Sequence, residues 1–104
     1  MDWKSKGNMR FIEAIMALET PEEARRFLRD LLTENEIEEF AKRLQTAELL
    51  SQKVSYSTIE KKTGLSSTTV ARVAKWLKGQ EGGYKTIIDR LHHHNSIQVG
   101  RGLS

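Results

Sequence analysis

Apolar residues recur at steps of three and four along nearly the whole chain, and that spacing restricts what it can fold into more than any other feature. Strand-like alternation is almost absent, and Pro21 is the single proline, so the expected fold class is all-α. Phe11, Ile12, Ile15 and Met16 form one apolar stripe. Thr20-Pro21-Glu22-Glu23 then supplies an N-cap, a proline at the first helical position and a capping-box glutamate. A second helix is expected to begin there and to bury Ala24, Phe27, Leu28, Leu31 and Leu32. Thr33 and Glu36 repeat the capping box ahead of a long helix striped by Ile37, Phe40, Ala41, Leu44, Ala47 and Leu50.

Three helices with such wide apolar faces leave more hydrophobic surface than one small core can cover, and a second copy of the chain is the simplest cover. A homodimer is therefore expected. The bland alternative is that the three pack only on each other and on the C-terminal half. With 104 residues the chain is expected to form a single all-helical domain over 1–94, followed by a flexible tail over 95–104, where the helical stripe ends.

Beyond Gln52 the texture changes to short segments rich in Ser, Thr and Lys. The charge changes as well: residues 1–51 carry 8 Lys/Arg against 11 Asp/Glu, and residues 52–104 carry 9 against 3. Positive charge confined to one half suits a polyanion, because phosphate binding depends on clustered cations. Taken alone, it could also be an ordinary solvated surface. No apolar run is long enough to span a membrane, and the N-terminal stretch lacks the apolar core of a secretory signal, so a cytoplasmic location is expected. The absence of cysteine removes disulfides, thiolate catalysis and zinc knuckles.

Within the basic half, Ser55 can cap a two-turn helix whose inward residue is Ile59, and Gly64 stands where a left-handed turn would end it. Leu65 can plug the space between two helices and Ser66 can cap the second, whose apolar face is Val70, Val73, Ala74 and Leu77. This spells a helix-turn-helix over about 55–77. Its outward residues are Ser67, Thr68, Thr69, Arg72 and Lys75. Short hydroxyls at a helix N-terminus followed by cations fit the major groove of double-stranded DNA, where Ser and Thr bond to bases or phosphates and Arg forks onto guanine. Ser57, Lys61, Ser66 and Lys78 complete the expected DNA-binding set. One departure stands out, since the position four before the glycine is normally small and here is Glu60. Gly79, Gly82 and Gly83 then break the chain before a last helix carried by Tyr84, Ile87, Ile88 and Leu91.

The stretch from Leu31 to Leu77 resembles the core of the Trp repressor family, in particular its YerC/YecD-type branch, and the resemblance extends over about 9–92. Thr33, Arg43, Leu49, Leu50, Ser55, Gly64, Thr69 and Arg72 look equivalent to residues of that pattern. A glutamate at the place of Glu60 is also less anomalous there. The resemblance implies an intertwined helical dimer with two reading heads on successive major grooves of a palindromic operator, acting as a repressor. It further implies a small-effector pocket between the core of one subunit and the reading head of the other, for which Thr33, Arg43, Arg72 and Trp76 are the candidates. The arginine pair looks like the one that sandwiches an indole in the Trp repressor. Trp76, however, appears where a serine-like residue would hold the ligand's amino group, so L-tryptophan is not expected to be the corepressor.

Other chemistries are weaker. His92, His93 and His94 are successive helical residues that cannot converge on one ion, and no metal or cofactor is expected. Glu36, Glu38 and Glu39 read as first-turn carboxylates favoured by the helix dipole rather than as catalytic acids. No phosphate-binding glycine loop or nucleophile-and-base arrangement is visible, so an enzyme is not expected. The alternative function is a helical protein-interaction module without sequence-specific DNA binding. RNA is disfavoured because the reading helix has no aromatic residue on its polar side to stack unpaired bases.

Overall fold

Five serine or threonine hydroxyls start helices along this chain. In the computed structural model, which describes residues 1–103 and their side chains through His93, these caps precede α1 (Lys6–Met16), α2 (Pro21–Leu31), α3 (Glu34–Ser51), α4 (Tyr56–Thr63) and α5 (Ser67–Leu77). Ser5, Thr20, Thr33, Ser55 and Ser66 each accept the backbone N–H three residues on, at 3.1–3.3 Å. A sixth helix, α6 (Gly83–Leu103), follows the glycine break, and there is no strand among the described residues. The fold is all-α, as the periodicity requires.

The two capping boxes close differently. At Thr33 the exchange is reciprocal, with the Thr33 N–H donating to Glu36 Oε1 at 2.9 Å while the Glu36 N–H donates to Thr33 Oγ1 at 3.1 Å. At Thr20 the Glu23 carboxylate instead accepts from the Glu19 N–H at 2.9 Å, one residue before the cap. The backbone N–H of Thr33, with a smaller contribution from its side chain, holds the Glu36 carboxyl below the usual glutamate range. A depressed carboxyl pKa contributes stability that is present above the unfolded value and lost as pH falls through the folded one. Titration followed by NMR should therefore place Glu36 below an ordinary glutamate, and Thr33→Val should move it part of the way back. A Glu36 value at or above the ordinary one would contradict the reciprocal bond.

The backbone forms two compact units, Met1–Ile37 and a second from Glu38 onward. In the first, neither α1 nor α2 contains a buried residue. Phe11, Ile12, Ile15 and Met16 all stand exposed, Met16 at 77 %, and Leu31 of α2 is exposed too. The stripes read from the sequence are present on these helices, but one chain does not cover them. In the second unit Ala47, Val73 and Ile88 form the buried centre, with Leu44, Leu50, Leu77 and Tyr84 packed against it. Ile59 and Val70 are also fully buried. The tail expected over 95–104 falls on side chains outside the described residues. Among the described residues no helix is long and apolar enough to cross a membrane.

Candidate DNA interface

Helix α4 ends where the sequence demands it. Gly64 is left-handed at φ 75°, and its N–H donates to the Glu60 carbonyl at 2.8 Å. A Cβ there would meet nothing within 4 Å, so the glycine is required by its backbone angle alone. Thr63, just before it, is buried and doubly satisfied: its hydroxyl donates to the Ile59 carbonyl at 2.8 Å and accepts the Leu65 N–H at 3.2 Å. This hydroxyl fixes the turn from inside, and the sequence reading passed over it. A threonine four residues after a buried isoleucine and next to the capping glycine was the available signal. Glu60 is half-buried, so a large residue is accommodated where a small one was expected.

Helix α4 packs against α5, and α5 against α6. The inner face of α5 is Val70, Val73 and Ala74, all buried, with Leu77 half-buried. On the other face Ser67, Thr68, Arg72 and Lys75 are exposed, and Thr68, Arg72 and Lys75 follow at steps of four and three, which places them on one line. Ser57 and Lys61, four apart on α4, are exposed, as is Lys78 at the C-cap of α5. Two of the nine expected residues are occupied with each other: the Ser66 hydroxyl caps the Thr69 N–H and lies 3.0 Å from Thr69 Oγ1, with Thr69 half-buried. In this structure the Ser66 hydroxyl starts the helix. None of Lys61, Arg72, Lys75 and Lys78 forms an ion pair among the described residues, so four cations stand uncompensated around one helix pair.

Of the four residues expected to form an effector pocket between subunits, two lie on one cleft within a single chain. Arg43 and Trp76 line an open cleft of about 540 Å³ together with Leu44, Glu81, Tyr84 and Ile87, and Arg72 is not part of that lining. Thr33 serves as the cap of α3. The Arg43 guanidinium stacks 5.3 Å from the centre of the Phe40 ring and pairs with Glu39 at 2.9 Å, while its Nε is buried without a partner. Trp76 is 55 % exposed, so its indole forms a wall of the cleft and does not anchor α5 into the body. His92 lies 3.6 Å from Glu48.

A helical fold carrying a capped, glycine-turned helix pair with a hydroxyl-and-cation face defines the helix-turn-helix class. The comparisons with known proteins are more particular. The family described as Trp repressor protein matches residues 6–92. The chain is 38 % identical over 78 residues to YerC of Bacillus subtilis (strain 168), itself uncharacterized, covering 75 % of each protein. Among solved structures it is similar to a TrpR-like protein from Eubacterium eligens ATCC 27750, with TM-score 0.80 and 33 % identity over 86 % of this chain and 93 % of that one. It is equally similar to a protein of Staphylococcus aureus put forward as a Trp repressor, with TM-score 0.81 and 35 % identity over 88 % and 95 % of the two chains. The chain belongs to the Trp repressor family.

Proposed function

We propose that this protein is a sequence-specific DNA-binding transcriptional regulator, acting in the cytoplasm as a homodimeric repressor on a palindromic operator. The observation that carries the reading is the outward face of α5, where Thr68, Arg72 and Lys75 are exposed and no acidic partner neutralises the cations. Family membership supports it. The direct test is selection of bound fragments from a randomised duplex library with the purified protein. Recovery of one sequence in two inverted copies supports the reading. Recovery of no preferred sequence, with tight capture of a single protein instead, would favour an interaction module.

The dimer is supported by the uncovered faces of α1 and α2, since Phe11, Ile12, Ile15 and Met16 would form an apolar surface in water. Obligate dimers have no stable folded monomer. Sedimentation at micromolar concentration should show only dimer, and a folded monomer there would rule the obligate dimer out.

The effector reading also departs from tryptophan. In the arrangement that the family resemblance implies, the pocket lies between the core of one subunit and the reading head of the other, and within one chain Arg43 already shares its cleft with Trp76 and Glu81. The Glu81 carboxylate repels a ligand carboxylate, and the Trp76 ring takes up space beside Arg43. L-tryptophan is therefore expected neither to bind at micromolar concentration nor to raise DNA affinity, as calorimetry and operator binding with and without it will show. A tenfold gain in affinity, about 1.4 kcal/mol of coupling, would contradict this.

A further inference from the structure

Helix α3 closes in a way that normally requires glycine. The Val54 N–H donates to the Leu49 carbonyl at 3.1 Å and the Lys53 N–H to the Leu50 carbonyl at 2.9 Å, the paired bonds of a Schellman ending. The residue before the last in that motif must be left-handed, and here it is Lys53, at φ 63°. It is the one residue other than glycine with positive φ among the described residues. Glycine adopts this conformation freely, while a side chain pays a steric cost. A lysine kept there needs a reason, and backbone strain of this kind gathers at functional positions.

The surroundings of Lys53 supply one. Lys53 and Lys78 border a single recess of about 380 Å³, with Tyr56 beside them and Val54, Ala74 and Leu77 among its apolar lining. No carboxylate lines this recess, and neither lysine forms an ion pair among the described residues. Two lysines bordering one recess without an acid make its surroundings positive, and an anion there is attracted by both. Tyr56, half-exposed, is also the first residue of α4, where Ser55 caps the Thr58 N–H, the Tyr56 and Ser57 N–H groups have no acceptor within the helix, and the helix dipole favours negative charge. In a helix-turn-helix the first helix crosses the nucleic-acid backbone, which places its N-terminus against phosphate when the second helix enters the groove.

We infer that Lys53, Lys78 and the start of α4 at Tyr56 seat a DNA phosphate flanking the groove that α5 enters, and that lysine stands in the left-handed position of the α3 ending to make this contact. The inference rests on the DNA-binding reading and adds to it a strained backbone-holding residue outside the expected interface. It makes a prediction that a purely structural lysine does not: removing it improves the fold and impairs binding. Lys53→Gly should raise the thermal unfolding midpoint by relieving the backbone. It should also weaken binding to the selected duplex about 3- to 10-fold at about 0.15 M salt. Because a phosphate carries no sequence information, the loss should be equal on specific and random duplexes. The slope of log affinity against log salt should become shallower by about 0.9 for each head engaged. Lys53→Gln, which keeps a side chain and removes only the charge, should show the same affinity and slope changes without the gain in midpoint.

Each result decides. Unchanged affinity and salt slope in Lys53→Gly, with Arg72→Ala still impaired, would overturn the phosphate seat and leave the DNA-binding reading standing. Different DNA affinities for Lys53→Gly and Lys53→Gln would trace the effect to the backbone and overturn it as well. A wild-type protein that binds no duplex of any sequence would overturn both.

Discussion

Ile59→Ala is expected to cost about 2–5 kcal/mol of stability and to abolish DNA binding with it. Ile59 is fully buried, and it is the inward residue of a helix only eight residues long. Its carbonyl also accepts the Thr63 hydroxyl that fixes the turn at Gly64. Removing the side chain opens a cavity beneath α4, and the orientation of α5 depends on α4 because the two helices pack directly. Denaturant unfolding at a fixed protein concentration measures the loss, the concentration being held because a dimer's stability depends on it. Trp76→Ala is the contrast. Although larger, that side chain is 55 % exposed and lines an open cleft, so its removal should change stability by about 0.5 kcal/mol or less. Comparable losses for the two variants would mean that the core of the head is not where it is described.

Arg72→Ala is expected to weaken operator binding by about 1–3 kcal/mol and to relax preference at one base position. Lys78→Ala should weaken binding by a similar amount on every sequence. The difference follows from position. Arg72 lies one turn after Thr68 on the outward line of α5 and carries a fork that matches guanine, whereas Lys78 sits at the helix C-cap with a point charge. Binding of both variants to the selected duplex and to a random one separates reading from holding. An unchanged ratio between the two duplexes for Arg72→Ala would show that Arg72 does not read a base.

Much of this was legible in the sequence because its causes are local. Thr20, Thr33, Ser55 and Ser66 announce their helices since a cap is a bond between residues three apart, and Gly64 announces the turn since few other residues accept its φ. Val70, Val73 and Ala74 were readable as the inner face of α5 because burial follows helical period. The misses are cases where pattern gives a face but not its neighbour. The stripe of Phe11, Ile12, Ile15 and Met16 says that these residues share a side of α1, and nothing in one chain says what lies against it. Trp76 stands four residues after Arg72, hence on the polar line, and its exposure corrects the expectation that α5 carries no aromatic residue on that side. Lys53 gave no signal at all, since lysine has no preference for the left-handed region and only the hydrogen bonds of the α3 ending place it there. Spacing along α5 likewise cannot tell that, within one chain, Trp76 and not Arg72 lines the cleft that holds Arg43.

The most direct measurement of the central claim is the ratio of dissociation constants for the selected duplex and a scrambled one of equal length, taken at a single salt concentration near physiological. A regulator that reads sequence through Arg72 and its neighbours should bind the selected duplex at least about a thousandfold more tightly than the scrambled one. A ratio near one, with both duplexes bound through charge alone, would contradict the account.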